Sequence, residues 1–330
     1  MIAIRLLVIV PLLTVLILLH ALPRLPQRSR LFGVDVPPEI RDGPEGARLM
    51  RSYQLWLLPF TIAAFLLVAF CTSRPLLVVA GIAAASFAAV RLQFTCHAKA
   101  LRFALPAPSI REASLSSDSG GRAHRLLWFA PPPAMLAATA IYLYANWNRI
   151  PETFPVHFDL NGKPNGWSHR TVHGVFGGLL LGAFIVGFLM LLYILMDLGS
   201  RRTTRRSVML IGLAAPCYLI GTLCSVVGLL PFFRPPWWVI LFLVGGFLPT
   251  YVWLMARVLA QPADGPPEVT PERCWHGSFY YNPDDPALFV EARTGFGYVS
   301  NFGRPLSWLI AALIFMFPVG LLVLVRQLFR

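Results

Sequence analysis

The sequence predicts an all-α polytopic membrane protein of about eight transmembrane helices, with a small external strand-turn lid and a small cytoplasmic β-hairpin. Three observations predict it. Hydrophobic residues make up 56% of the 330 and charged residues only 13%, where a soluble domain carries about 25% charged residues. Eight apolar runs reach the roughly 20 residues that a bilayer crossing takes. The basic residues gather in alternate loops between those runs, as topology demands. A net charge of +13 would point to nucleic acid in a soluble chain, but here topology accounts for it.

The runs fall at roughly 3–22, 54–73, 75–95, 127–147, 174–197, 207–230, 237–258 and 305–325. The first reads as a retained helix rather than a signal peptide. Its apolar core extends to about Leu22, no small-residue cleavage site follows, and arginines crowd its far side. After it, Pro37-Pro38 breaks any continuous helix. Ile40, Leu49 and Tyr53 then interleave with Arg41, Arg48 and Arg51, a pattern that suits a short interfacial helix. Residues 96–125 contain SLSSDSGG, a flexible linker by composition. Pro131-Pro132-Pro133 marks a kink or a late helix start in the fourth run. The proline-rich tether AQPADGPPEVTPE follows the seventh run. The organisation is thus a three-helix region at 1–125, a helix-lid-helix unit at 126–200, two further helices at 201–260, and a cytoplasmic hairpin with the last helix at 261–330. No internal repeat of the inverted transporter kind is visible.

Direction follows from the arginines and lysines. Of the 28, all but Arg5, Arg74, Arg149, Lys163, Arg170, Arg234, Arg326 and Arg330 lie in or beside the loops after runs one, three, five and seven. Those loops are therefore expected inside, with both termini outside. The ionisable residues His20, Arg91, Asp197 and Arg257 all lie within about a turn of a span end, where snorkelling to the headgroups explains them. With no carboxylate or histidine at mid-membrane, a proton-coupled transporter is disfavoured. The five cysteines form no C-x-x-C pair, so neither a disulfide framework nor a zinc site is indicated.

The expected lid, 148–173, lies between runs four and five. In FPVHFDL (154–160), Val156, Phe158 and Leu160 alternate with His157 and Asp159, as in a strand. Asn161-Gly162 and Asn165-Gly166 are turn signals. Pro155 and Pro164 stiffen the loop. Trp147 and Trp167 flank it at the height where tryptophan is enriched. His157 and Asp159 share a face, and His169 and His173 have the i, i+4 spacing of zinc ligands on a helix. No H-E-x-x-H element and no third strong ligand accompany them, so a binding surface or a structural cap is the stronger expectation.

Before the last run, Phe279-Tyr280-Tyr281 and Ala287-Leu288-Phe289-Val290 are β-prone runs around the turn signal NPDDP. Two or three small strands are expected. Asp284 and Asp285 read as turn caps in an exposed loop rather than an acid-base pair. The G-F-G at 295–297 lacks the βαβ setting of a dinucleotide fingerprint.

Two resemblances add to this. Ile150-Pro151, Phe154-Pro155-Val156-His157-Phe158, Asn161-Gly162, Pro164, Gly166 and Trp167 resemble the signature of the bacterial family catalogued as domain of unknown function 1648. That family includes Sdp-type immunity proteins, which protect a cell from a secreted killing peptide and hold a transcriptional repressor at the membrane. The resemblance implies that Pro155, His157, Asp159, Gly162 and Trp167 are signature positions of a ligand-binding lid. The family often carries a lysine a few residues after the aromatic, where Ser168-His169-Arg170 stands here. The second stretch, Trp275, Gly277, Tyr280, Tyr281-Asn282-Pro283-Asp284-Asp285-Pro286, Arg293, Gly295, Gly297 and Asn301-Phe302-Gly303-Arg304-Pro305, resembles the family catalogued as domain of unknown function 5808.

The leading expectation is a non-enzymatic receptor or immunity-like protein of the bacterial cytoplasmic membrane, without a cofactor. It would meet a toxic peptide or envelope factor outside and a transcriptional regulator inside, with no direct nucleic-acid contact. The alternatives are a transporter or permease component, and a membrane-embedded metalloenzyme using His157 and Asp159.

Overall fold

The computed structural model describes residues 19–20, 30–70, 75–105, 119–158, 164–199, 206–233, 236–259, 270–277, 279–292 and 297–328. The chain is mostly helical. Its long helices are α1 (Pro44–Phe70), α2 (Pro75–Ala100), α3 (Ser119–Leu127), α4 (Pro131–Ala145), α5 (Val172–Gly199), α6 (Arg206–Gly228), α7 (Trp237–Leu259) and α8 (Pro305–Leu328). Four two-stranded antiparallel sheets complete it: β1 (Arg30–Leu31) with β2 (Val34–Asp35), β3 (Thr153–Phe158) with β4 (Pro164–His169), β5 (Trp275–His276) with β6 (Phe279–Tyr280), and β7 (Phe289–Glu291) with β8 (Tyr298–Ser300).

Among the described residues, four helical stretches are long and apolar enough to cross a membrane: His124–Ala145, Val172–Gly199, Ser207–Gly228 and Pro305–Gln327. The expected runs at 127–147, 174–197, 207–230 and 305–325 fall on these four. The run at 3–22 lies outside the described residues apart from Leu19 and His20. Those at 54–73, 75–95 and 237–258 fall on α1, α2 and α7, in each of which some side chains lie outside the description. The helices carry large exposed apolar side chains all along their length, including Phe70, Phe87, Ile141, Phe242, Phe315 and Leu322. A water-soluble monomer rarely leaves contiguous apolar surface of that extent; against lipid it is the expected surface. The chain is a multi-pass membrane protein.

The N-terminal hairpin turns at Phe32-Gly33, where φ is 51° and 81°. A type I′ turn requires positive φ at both central residues, which glycine accepts freely and phenylalanine does not. Phe32 is held there from two sides. Its ring lies 5.7 Å from that of Tyr53, and its carbonyl accepts from Nδ1 of buried His97 at 2.9 Å. Tyr53 in turn donates to the Leu19 carbonyl at 2.8 Å, and His20 meets Thr61 at 3.2 Å. The separate interfacial helix expected here is not found. Pro38–Arg41 makes one helical turn, and from Pro44 a single helix continues into the apolar run. Met50, Tyr53 and Leu57 are buried against α2, so this stretch packs on protein.

In the fourth run the late-start expectation holds. Helix α3 stops at Leu127, Trp128–Ala130 turn, and Pro131 opens α4, where its missing N–H costs nothing. Helices α4, α5 and α6 pack on one another around Phe129, Leu136, Leu143, Val175, Leu179, Val186, Tyr193, Ala214 and Cys217. Small residues set their separation: a Cβ on Gly182 would lie 2.8 Å from Cys224 Cβ, and one on Gly221 would lie 3.0 Å from Pro132. Close backbone approach of this kind is how helices associate in lipid, where no hydrophobic force joins them. Helix α8 lies on α5 through Phe317, whose ring stacks on Phe188 at 3.8 Å and Phe184 at 5.4 Å.

Asp197 also departs from expectation. Rather than snorkelling, it is only 2% exposed and lies 3.5 Å from the Arg125 guanidinium, itself 16% exposed. An isolated carboxylate at that depth would be costly; the α3 arginine neutralises it. By contrast Arg257 is exposed and lies over the Trp253 ring at 4.4 Å, as a snorkelling cation does.

Two substitutions at apparently similar glycines separate packing from composition. Gly182→Val should lower the stability of the detergent-solubilised protein by about 1–3 kcal/mol through overpacking against Cys224. Gly187→Val meets nothing within 4 Å and should leave thermal unfolding nearly unchanged. Asp197→Ala, which leaves the Arg125 charge in a site built for a pair, should cost roughly 3 kcal/mol. The double change Arg125→Met with Asp197→Leu should cost less.

Candidate functional site

The expected lid is an antiparallel hairpin. Its register runs Thr153↔His169, Phe154↔Ser168, Pro155↔Trp167, His157↔Gly166 and Phe158↔Pro164, with shifts on either side of His157. The register skips one position on each strand, at Val156 and at Asn165, so each strand carries a bulge, which bends and twists a ribbon. Asn165-Gly166 was expected to be a turn and is part of β4 instead. A proline at the head of the strand and the bulge accommodate residues that ordinarily leave a ladder. Asp159 and Gly162 lie outside the described residues, as does Asn161-Gly162 as a whole.

The hairpin is pinned to the bundle on one side. Ile150 and Phe154 are buried in the same core as Leu143, Val175 and Leu179, and Val156 packs against it. Pro155 is buried as well. Trp147 stacks on Phe176 of α5, with ring centroids 6.1 Å apart and planes within 8°. Arg170 closes the loop: its guanidinium donates to the Ile150 carbonyl at 3.2 Å and the Asn148 carbonyl at 3.4 Å, while its backbone N–H donates to Glu152 at 2.9 Å. This gives a positional role to the charge that follows the signature. Thr171 then caps α5, its Oγ1 accepting from the Gly174 N–H at 3.0 Å, the N-cap arrangement. The opposite surface is open: Trp167 is 60% exposed, and Asn165 and His169 are exposed beside it. His169 ends β4 and His173 sits in the first turn of α5. Among the described residues no group of three or more His, Cys, Asp or Glu is placed to hold a metal ion.

The second patterned segment forms a unit of two hairpins, β5–β6 and β7–β8, where a single hairpin was expected. A parallel bridge between Tyr280 and Asn301 joins them, and Trp275, Tyr280, Ala287 and Val290 form their shared core. Asn301 is fully buried and organises the whole. Its Nδ2 donates to the carbonyls of Asn282 (2.8 Å), Ala287 (3.0 Å) and Asp285 (3.1 Å). Its Oδ1 accepts from the N–H groups of Asn282 (2.9 Å) and Gly303 (3.1 Å). The two signatures, NPDDP and NFGRP, are therefore two sides of one knot. Gly303 belongs to it because a Cβ there would lie 2.5 Å from the Asn282–Pro283 peptide.

The aspartates divide as a turn predicts, with one difference. Asp284 is exposed, and its N–H donates to Asn282 Oδ1 at 3.1 Å. Asp285 is buried, not exposed: it accepts from the Tyr280 hydroxyl at 3.0 Å and the Ala287 N–H at 3.0 Å. Burial pushes the Tyr280 phenol up to about 12, with Asp285 adding to the rise and Asn282 opposing it. Tyr281 is exposed, and Arg304 reaches the Pro283 carbonyl at 3.5 Å. Arg293 and Gly295 lie outside the described residues.

This unit docks on the far end of α5. The Leu288 N–H donates to the Gly199 carbonyl at 2.8 Å, and Tyr298 packs against the helical core. A Cβ on Gly199 would collide with Leu288. A cleft of about 540 Å³ lies at this junction, lined by Leu198, Gly199, Pro286, Leu288, Arg304 and Leu306. Lid and β-unit thus occupy opposite ends of a 28-residue helix, about 42 Å apart at 1.5 Å per residue.

The geometry defines a class: a multi-pass membrane protein with one small β-element capping each end of a shared helix. Residues 134–182, which span α4, the lid and the first part of α5, match the family described as Domain of unknown function (DUF1648). Residues 283–308, from the aspartate turn to the first turn of α8, match the Family of unknown function (DUF5808). Both resemblances drawn from the signatures stand. Neither a curated protein nor a solved structure matches the chain.

Asn301→Asp would set an oxygen against three carbonyls, and is expected to cost roughly 3 kcal/mol or more. Hydrogen exchange at Ala287–Val290 in the full-length protein should accelerate accordingly. Alkali should act on the same unit. The folded phenol of Tyr280 keeps its proton to about 12, and an unfolded one to about 10. Its contribution is complete below pH 10 and is lost as pH rises through 12. Tyr280→Phe should flatten that part of the stability profile, measured by near-ultraviolet circular dichroism during thermal unfolding.

Proposed function

We propose that this chain is a non-enzymatic receptor or immunity-like protein of a bacterial cytoplasmic membrane. It crosses the bilayer eight times with both termini outside, presents the β3–β4 hairpin to a toxic peptide or envelope factor, and offers its inner surface to a transcriptional regulator. One observation carries the reading: α5 joins a pinned, open-faced hairpin at one end to an interlocked β-unit at the other. A ligand pressing on the hairpin acts on Phe154, Ile150 and Trp147, all of which pack with α5. Any displacement of that helix reaches Gly199 and, through it, Leu288. The arrangement would couple the two faces through side-chain packing and one backbone hydrogen bond. The distribution of arginine and lysine supports placing the hairpin outside.

The exposed Trp167 is the residue to test, since large aromatic side chains dominate recognition surfaces. Cells lacking the gene should become more sensitive to a secreted killing peptide from their neighbours, or alter expression of an adjacent regulator. Trp167→Ala should reproduce that phenotype at unchanged protein level. Equal survival and equal regulator expression in the deletion strain, across the peptides encoded beside the gene, would sink the proposal.

A further inference from the structure

We infer that the β5–β8 unit does not stand free in water but rests with one aromatic edge in the lipid headgroup layer, the bilayer itself being its partner. The inference uses the membrane character of the chain and is independent of the receptor reading and of which face is inside.

The starting point is α8. Trp308, Ala312, Phe315, Val319 and Leu322 follow one another at spacings of four, three, four and three residues, so they form a single stripe along the helix. All five are exposed, Phe315 most of all at 79%. Such a stripe belongs against acyl chains. Its ends are marked by the residue types that sit at interfaces: Trp308 at one and Arg326 at the other. The 18 residues between them rise about 27 Å, close to the roughly 30 Å of a hydrocarbon core. Trp308 therefore lies at the height of the headgroups.

The stripe continues beyond the helix. The Phe302 ring packs edge-on to Trp308 at 4.9 Å, and Phe279 packs edge-on to Phe302 at 5.7 Å. The Trp308 indole N–H donates to the Phe302 carbonyl at 3.0 Å, which fixes the indole to the β-unit. Phe279 is 62% exposed and Trp308 61%. Trp308, Phe302 and Phe279 thus extend the lipid-facing surface of α8 into a unit otherwise built of turns and short strands. Of the three, Trp308 is the type that favours the boundary layer, and the two phenylalanines carry apolar surface outward from it. Continuity with an apolar stripe that already faces lipid selects the bilayer as occupant over a protein partner.

Photo-crosslinking in native membranes tests this. Phe279 is replaced by benzoylphenylalanine, a near-isosteric change at an exposed site, and the same probe at Phe315 reports on the mid-bilayer stripe. After irradiation the full-length protein is purified and its mass measured. Adducts of phospholipid mass at both positions are expected. A lipid adduct at 315 with none at 279, or a 279 adduct to a second copy or another protein, overturns the inference while leaving the membrane assignment intact. Failure of lipid capture at 315 as well would overturn the membrane assignment, and the inference with it.

Discussion

In lipid there is no water to receive a stray N–H or carbonyl, so a chain that crosses must satisfy its backbone within each segment. Helix α5 meets that demand over 28 residues and so becomes a stiff rod against which the rest is fitted. Helices α4 and α6 meet it at Gly182 and meet each other where Gly221 faces Pro132, α8 leans on it through stacked phenylalanines, and the two β-elements sit at its ends. At both ends the chain leaves helical geometry. There the orphan amides and carbonyls of the helix need other partners, and Thr171 and Leu288 supply them.

Polar chemistry follows the same division. Arg125 and Asp197 pair beside the last turn of α5, His97 holds the Phe32 carbonyl near the end of α2, and Asn301 is saturated inside the β-unit. Each is buried by protein near a helix end. Away from the ends, surfaces are apolar and contacts depend on shape. The molecule thus concentrates these directional interactions near helix ends and its non-directional ones where lipid surrounds it.

Much of this was legible in the sequence because its causes are local. Apolar run length fixed α5, α6 and α8 to within a few residues, Pro131 marked the start of α4, and the β-prone runs around NPDDP marked a turn. What was not legible depends on partners distant in the chain. Asp197 looked like a snorkelling residue because nothing near it announces Arg125, 72 positions earlier. Asp285 looked like an exposed turn residue because Tyr280 and Asn301 enclose it only after the hairpins meet. Asn165-Gly166 has turn composition, yet register with Pro155 and His157 places it in a strand. Arg170 carried no local sign that it would bind the carbonyls of residues 148 and 150.

The bond between Leu288 and Gly199 has a consequence in time. A ribosome delivers α5 long before it delivers residue 288, so the newly inserted helix ends in an uncapped carbonyl, facing a cleft that does not yet exist. A residue delivered 89 positions later completes that helix end, and a molecule released before it would carry a membrane bundle with an unfinished end.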